Sequence, residues 1–95
     1  MGSNYSRGRI KEWEVMKTLG AAGYRCVRSA GSHGPWDVCA VGPMDTILVQ
    51  VKLSKTGYVA PSEVSDFKEM PTSKWTRKEV WVFTKHKRYP EVIIA

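Results

Sequence analysis

The sequence predicts an α/β domain, a mixed sheet with helices packed on it, in the order α-β-β-β-α-β-β. Three observations predict it. Apolar residues recur at helical spacing in two stretches, while alternating or continuous apolar runs fill the segments between and after them. Glycine and proline clusters punctuate these runs. Ninety-five residues, 42% hydrophobic and 25% charged, suit one ordinary globular domain and not a disordered chain.

The first helix is expected over residues 7–22. Gly23 follows it, where a left-handed cap is common. Residues 1–6 are small and polar and read as a flexible N-terminus, so the domain is taken as 7–95. Residues 24–28 alternate as a strand does, and 29–35 form a polar, glycine-rich connector. Strands over 36–41 and 46–53 flank the turn 42–45 and make a hairpin. Pro61-Ser62-Glu63 starts a second helix with Ser62 as its cap. That helix carries Val64, Phe67 and Met70 and stops at Pro71. Strands over 79–84 and 91–94 complete the chain.

Several classes are excluded or disfavoured. No apolar run approaches the ~20 residues that a transmembrane helix needs, and no charged start leads into an apolar block, so neither a membrane span nor a secretory signal is expected. Cys26 and Cys39 lie in strand-like runs and read as buried thiols of a reducing compartment; a disulfide between neighbouring strands is the other reading. His33 and His86 do not pair with them at zinc-site spacing. Fifteen Lys and Arg against nine Asp and Glu give a charge of +6, which favours a polyanionic partner without choosing among DNA, RNA and lipid.

The informative residues are polar ones on apolar faces. Val15, Met16, Leu19 and Ala22 form the core stripe of the first helix, and Glu12 lies on it, with Gly8 one turn earlier. A carboxylate there is costly unless it is paired or binds a metal. Alone, Glu12 reads as well as a stripe-end residue that reaches solvent or pairs with a lysine. On the long strand, Ile47, Val49, Val51 and Leu53 make a clean core face. The other face turns polar at Gln50 and Lys52, which by itself fits a sheet with one wet side. Asp37 opens the neighbouring strand.

Together these residues supply hard oxygen ligands and one ammonium. Asp37 and the Gln50 side-chain carbonyl suit Mg²⁺ or Mn²⁺, the Val51 backbone carbonyl adds a ligand, and Glu12 binds directly or through water. Such equipment suits phosphodiester hydrolysis. Lys52 would offset charge developing in the transition state. A lysine amine is ordinarily protonated at neutral pH and makes a poor general base, so the expected nucleophile is water activated by the metal.

The pattern Glu12 … Asp37 … Gln50-Val51-Lys52 resembles the PD-(D/E)xK nuclease superfamily. With Arg7-Gly8, Gly23-Tyr24 and Val27-Arg28-Ser29-Ala30-Gly31-Ser32 it is most similar to the archaeal-type, Hjc-like Holliday junction resolvases. The resemblance spans residues 7–53. It implies a small restriction-endonuclease-like fold and a homodimer that cuts four-way branched DNA symmetrically with Mg²⁺, with Mn²⁺ as a substitute. It matches Glu12, Asp37 and Lys52 to catalytic positions, Ser32 to a serine near the scissile phosphate, and Arg28 to a basic residue on the DNA-facing side. Such an enzyme would be cytoplasmic, in an archaeal cell or a virus's host, with no membrane partner and no small-molecule cofactor.

The sequence departs from that family in three ways. Gln50 stands where these resolvases carry glutamate, the connector before Asp37 is longer, and the C-terminal half matches in outline only. Another structure-specific or nicking endonuclease, and an inactive branched-DNA-binding module, therefore stay open. Arg7, Arg9, Lys11 and Lys55 are candidate DNA contacts. The clusters Lys74-Arg77-Lys78 and Lys85-Lys87-Arg88 are candidate phosphate contacts as well, and the second is read equally well as solvated surface. Trp13 falls off the core stripe, Trp36 and Trp81 are expected in the core, and Trp75 with Phe67 is a candidate dimer patch.

Overall fold

A computed structural model describes the backbone of residues 4–29 and 35–95, and side chains from residue 8 onward within these ranges. Its elements are α1 (Asn4–Ala21), β1 (Arg25–Arg28), β2 (Val38–Val41), β3 (Thr46–Ser54), α2 (Pro61–Glu69), β4 (Thr76–Thr84) and β5 (Glu91–Ile94). The order α-β-β-β-α-β-β is as expected, but α1 begins at Asn4, inside the segment expected to be flexible. Residues 1–3 lie outside the described residues.

The five strands lie in sequence order, β1-β2-β3-β4-β5. The first three form an antiparallel meander, and β4 runs parallel to β3. A parallel neighbour needs a crossover, and α2 supplies it. β5 returns antiparallel along the far edge of β4.

Each helix covers one face of the sheet. Val15 and Leu19 of α1 pack with Val38, Ala40, Ile47, Val49, Trp81 and Phe83. Phe67 of α2 packs with Leu48, Val80 and Val82 on the other side. The expected wet face of β3 is therefore wet only at its end: Leu48 is buried, because the crossover lays α2 over it. Leu53, assigned to the core face, is exposed where β3 runs past its cover. Ala22 is exposed as well, since the helix is already ending there.

That ending takes the expected form. Gly23 has φ 102°, and Gly23 and Tyr24 donate their N–H groups to the carbonyls of Gly20 and Leu19. This pattern satisfies carbonyls at the helix end. The cap of α2 differs from expectation. Ala60, not Ser62, holds the cap position, with Pro61 at the first helical turn. Glu63 Oε2 accepts from the Ala60 N–H at 3.1 Å, which satisfies the donor without a capping hydroxyl.

β4 starts three residues before its expected position, because its polar opening finds partners within the fold. Arg77 bridges Asp45 and Glu79, each at 3.0 Å. Lys78 is buried and donates to the carbonyls of Lys68 and Met70 at the end of α2. Arg77 and Lys78 are thus engaged within the fold and are not free phosphate contacts. Phe67 is fully buried, so it cannot join Trp75 in a dimer patch. Trp81 is core, while Trp36 is half-buried. Cys26 packs on the α1 side and Cys39 on the α2 side, so the alternative of a disulfide between them fails: both are free thiols on opposite faces.

Candidate active site

The strands β3 and β4 end side by side, with Ser54 opposite Thr84. Ligands of open α/β sheets bind beyond the carboxyl ends of parallel strands. A cleft of about 960 Å³ lies there. α1 contributes Gly8, Lys11 and Glu12 to it; Asp37 enters from the start of β2; Val51 and Lys52 come from β3. Gly8 leaves open space, since a Cβ built on it would meet nothing within 4 Å.

Asp37 is fixed by three hydrogen bonds. Its N–H donates to the Val49 carbonyl at 2.8 Å and its carbonyl accepts from Ser29 at 2.7 Å. Its Oδ2 accepts from the Val51 N–H at 2.8 Å, taking the place of the ladder partner that β2 has ceased to provide. A strand residue's N–H and C=O leave on the same edge, so the Val51 carbonyl points toward the Asp37 side too. Burial pushes the Asp37 carboxyl up; the Val51 N–H and the Lys52 charge pull it down by less.

Glu12 sits on the core stripe as expected, and its partner is an arginine. Arg28 Nη1 lies 3.3 Å from Glu12 Oε1, and the guanidinium also lies 6.0 Å from the centre of the exposed Trp13 ring. Burial raises the Glu12 pKa, the Arg28 hydrogen bond opposes this, and the negative charge of Asp37 raises it further. The two carboxylates are therefore close enough to repel.

Gln50 is not part of the cleft wall. Its Nε2 donates to the Pro35 carbonyl at 2.9 Å, which fixes the amide orientation. Its Oε1 is buried and has no hydrogen-bond partner among the described residues. A buried acceptor left so costs about 1–3 kcal/mol. Among the described residues no three His, Cys, Asp or Glu side chains gather as a metal cluster. Glu12 and Asp37 supply two carboxylates, and the third position carries an amide.

The remaining expected residues divide. Lys11 and Lys55 line the cleft. Lys11 also pairs with Glu14 at 3.4 Å and lies over the Phe83 ring. Arg9 is exposed beside them, and its charge reaches Glu12. Arg28 is committed to Glu12 and Trp13. Ser32 and the side chain of Arg7 lie outside the described residues. Sequence reasoning passed over His86, which lines the cleft with Lys85, Lys87 and Arg88, and over Glu63 of α2. The signal was the parallel pairing of β3 and β4, which brings residue 84 beside residue 54.

An acid-bearing helix against a three-strand meander, with Asp beside Gln-x-Lys and a crossover to a parallel strand, defines a small mixed-sheet α/β domain. The same fold occurs in the Holliday junction resolvase Hjc of Archaeoglobus fulgidus, an archaeal hyperthermophile. The match has a TM-score of 0.61 at 22% identity and covers 83% of this chain and 72% of that one. No protein-family model and no curated protein matches the sequence.

Proposed function

We propose that the protein is a metal-dependent, structure-specific DNA endonuclease that resolves four-way junctions by paired cuts as a homodimer. The observation carrying this reading is that a single cleft collects Glu12, Asp37, Val51 and Lys52 under a rim of cations. Six Lys and Arg against three acids line the cleft, which suits a phosphate backbone.

The donor set fits a hard divalent cation. Mg²⁺ binds through one or two carboxylates and keeps several waters. Glu12, Asp37 and the Val51 carbonyl would hold it. The repulsion between the Glu12 and Asp37 carboxylates is a feature that a cation relieves. When bound, the metal supplies Lewis-acid polarisation of the phosphoryl group and lowers the pKa of a water. Lys52 then offsets charge that develops on the phosphoryl oxygens. Asp37, fixed at its backbone and carboxylate, keeps the site's geometry. A symmetric dimer would present two such sites to a substrate of approximate two-fold symmetry. The fold shared with a resolvase supports the choice of branched DNA.

The test is cleavage of a labelled immobile four-way junction beside a linear duplex of the same arms, in Mg²⁺, Mn²⁺ and EDTA. Paired symmetric nicks on the junction alone, in either metal and not in EDTA, are expected. Equal cutting of both substrates would remove the resolvase reading and leave a nuclease. Junction binding without cutting would identify an inactive binding module, the reading that a neutral Gln50 favours.

Gln50→Glu is expected to divide stability according to metal. In EDTA a carboxylate would face the Pro35 carbonyl, with the amide donor lost, and the variant should be less stable by about 1–3 kcal/mol. With Mg²⁺ the restored charge should tighten metal binding and return that stability. Thermal melts with and without metal measure both, and an unchanged metal titration would exclude Gln50 as a ligand.

A further inference from the structure

The turn between β4 and β5 holds Lys85, His86, Lys87 and Arg88 in succession, and all four are exposed and line the cleft. It follows Phe83, whose ring lies 5.2 Å from the Lys11 ammonium of α1. Lys85, Lys87 and Arg88 enter no ion pair among the described residues. Their charge is therefore not spent within the fold, unlike that of Arg77, which bridges two acids.

The turn is also preformed. The Lys87 N–H donates to the Thr84 carbonyl at 3.0 Å, and His86 takes φ 72°. Its base is the last residue of β4, paired to the end of β3. A basic turn held in one shape on the end of a central strand loses little freedom when a ligand engages it.

We propose that this turn is a phosphate clamp, a second binding wall that grips the DNA backbone beside the catalytic residues and acts without metal. It rests on the nuclease reading for the identity of the polyanion. A phosphate-tracking wall at this place holds the strand at the mouth of the site, beyond the end of β4. Its contribution is to position and retain the substrate, and it takes no part in the chemistry.

The experiment is equilibrium binding of a labelled four-way junction in EDTA, titrated over salt, for the parent and for K85Q/K87Q/R88Q. Each phosphate contact contributes about 0.9 to the slope of log K against log salt on B-form DNA. The variant's slope is expected to fall by about 2 to 3. Its affinity at 0.15 M salt should fall at least tenfold. A charge-matched variant, R25Q/K68Q/K74Q, alters residues outside the cleft wall, Lys74 at the far end of β4, and should keep most of the parental slope. Equal losses in the two triple variants would overturn the clamp, since only net charge would then matter. A parental slope in K85Q/K87Q/R88Q would overturn it too. If the parent binds DNA through the turn but never cuts, the nuclease reading fails and the clamp stands.

Discussion

Asp37→Asn is expected to abolish cleavage while making the protein more stable at neutral pH. The activity loss should be on the order of a thousandfold or more, about 4 kcal/mol of transition-state stabilisation. Stability moves the other way because of burial, which raises the Asp37 pKa above its ordinary value despite the Val51 N–H and Lys52. A carboxyl raised in this way favours folding below its unfolded pKa, and that contribution is lost as pH rises through its folded pKa. At neutral pH the ionised group therefore costs stability. Asparagine removes the charge and keeps an oxygen for the Val51 N–H. Thermal melts of both proteins should show the variant higher at pH 7 and the gap closing as the solution is acidified. Any gain in melting temperature from Mg²⁺ should be smaller in the variant. Parental cleavage by Asp37→Asn would remove Asp37 from the site. A lower melting point at pH 7 would mean that its hydrogen bond outweighs its burial.

Phe67→Ala should cost about 3–5 kcal/mol, a large part of the roughly 5–15 kcal/mol that holds a domain of this kind together. The ring is fully buried and is the anchor by which α2 holds Leu48, Val80 and Val82. At this chain length the melting point should drop by about 12 °C or more. The loss should not depend on protein concentration, because Phe67 lies inside one chain. A loss that disappears as protein concentration rises would return this residue to a subunit interface. Denaturant melts at two concentrations a hundredfold apart decide the matter.

Much of the fold was legible because it rests on local signals. The Gly23 cap, the apolar face at Ile47 and Val49, and the stop at Pro71 each follow from the chemistry of neighbouring residues. Glu12 and Asp37 were legible for the opposite reason: they break the local rule, and the fold brings their carboxylates into one cleft. What was not legible depends on distant partners. Thr76-Arg77-Lys78 reads as a loop until Asp45, Glu79 and the end of α2 absorb its charges. Leu48 reads as half-exposed until the crossover covers it. Gln50 was expected to offer its side-chain carbonyl, and the hydrogen bond from its Nε2 to the Pro35 carbonyl, which orients the amide, is a contact that no spacing rule foretells.

The sheet places β3 in the middle, hydrogen-bonded to β2 on one side and β4 on the other. Gln50, Val51 and Lys52 therefore ride on the inner strand, whereas Lys55 and residues 85–88 ride on the loops that leave it and its neighbour. Inner strands tolerate little change, and surface loops accept substitution and insertion. Such a division makes the chain modular for engineering and for natural drift. Loops of new length or charge can change what the cleft holds, while Gln50, Val51 and Lys52 keep their places on the inner strand.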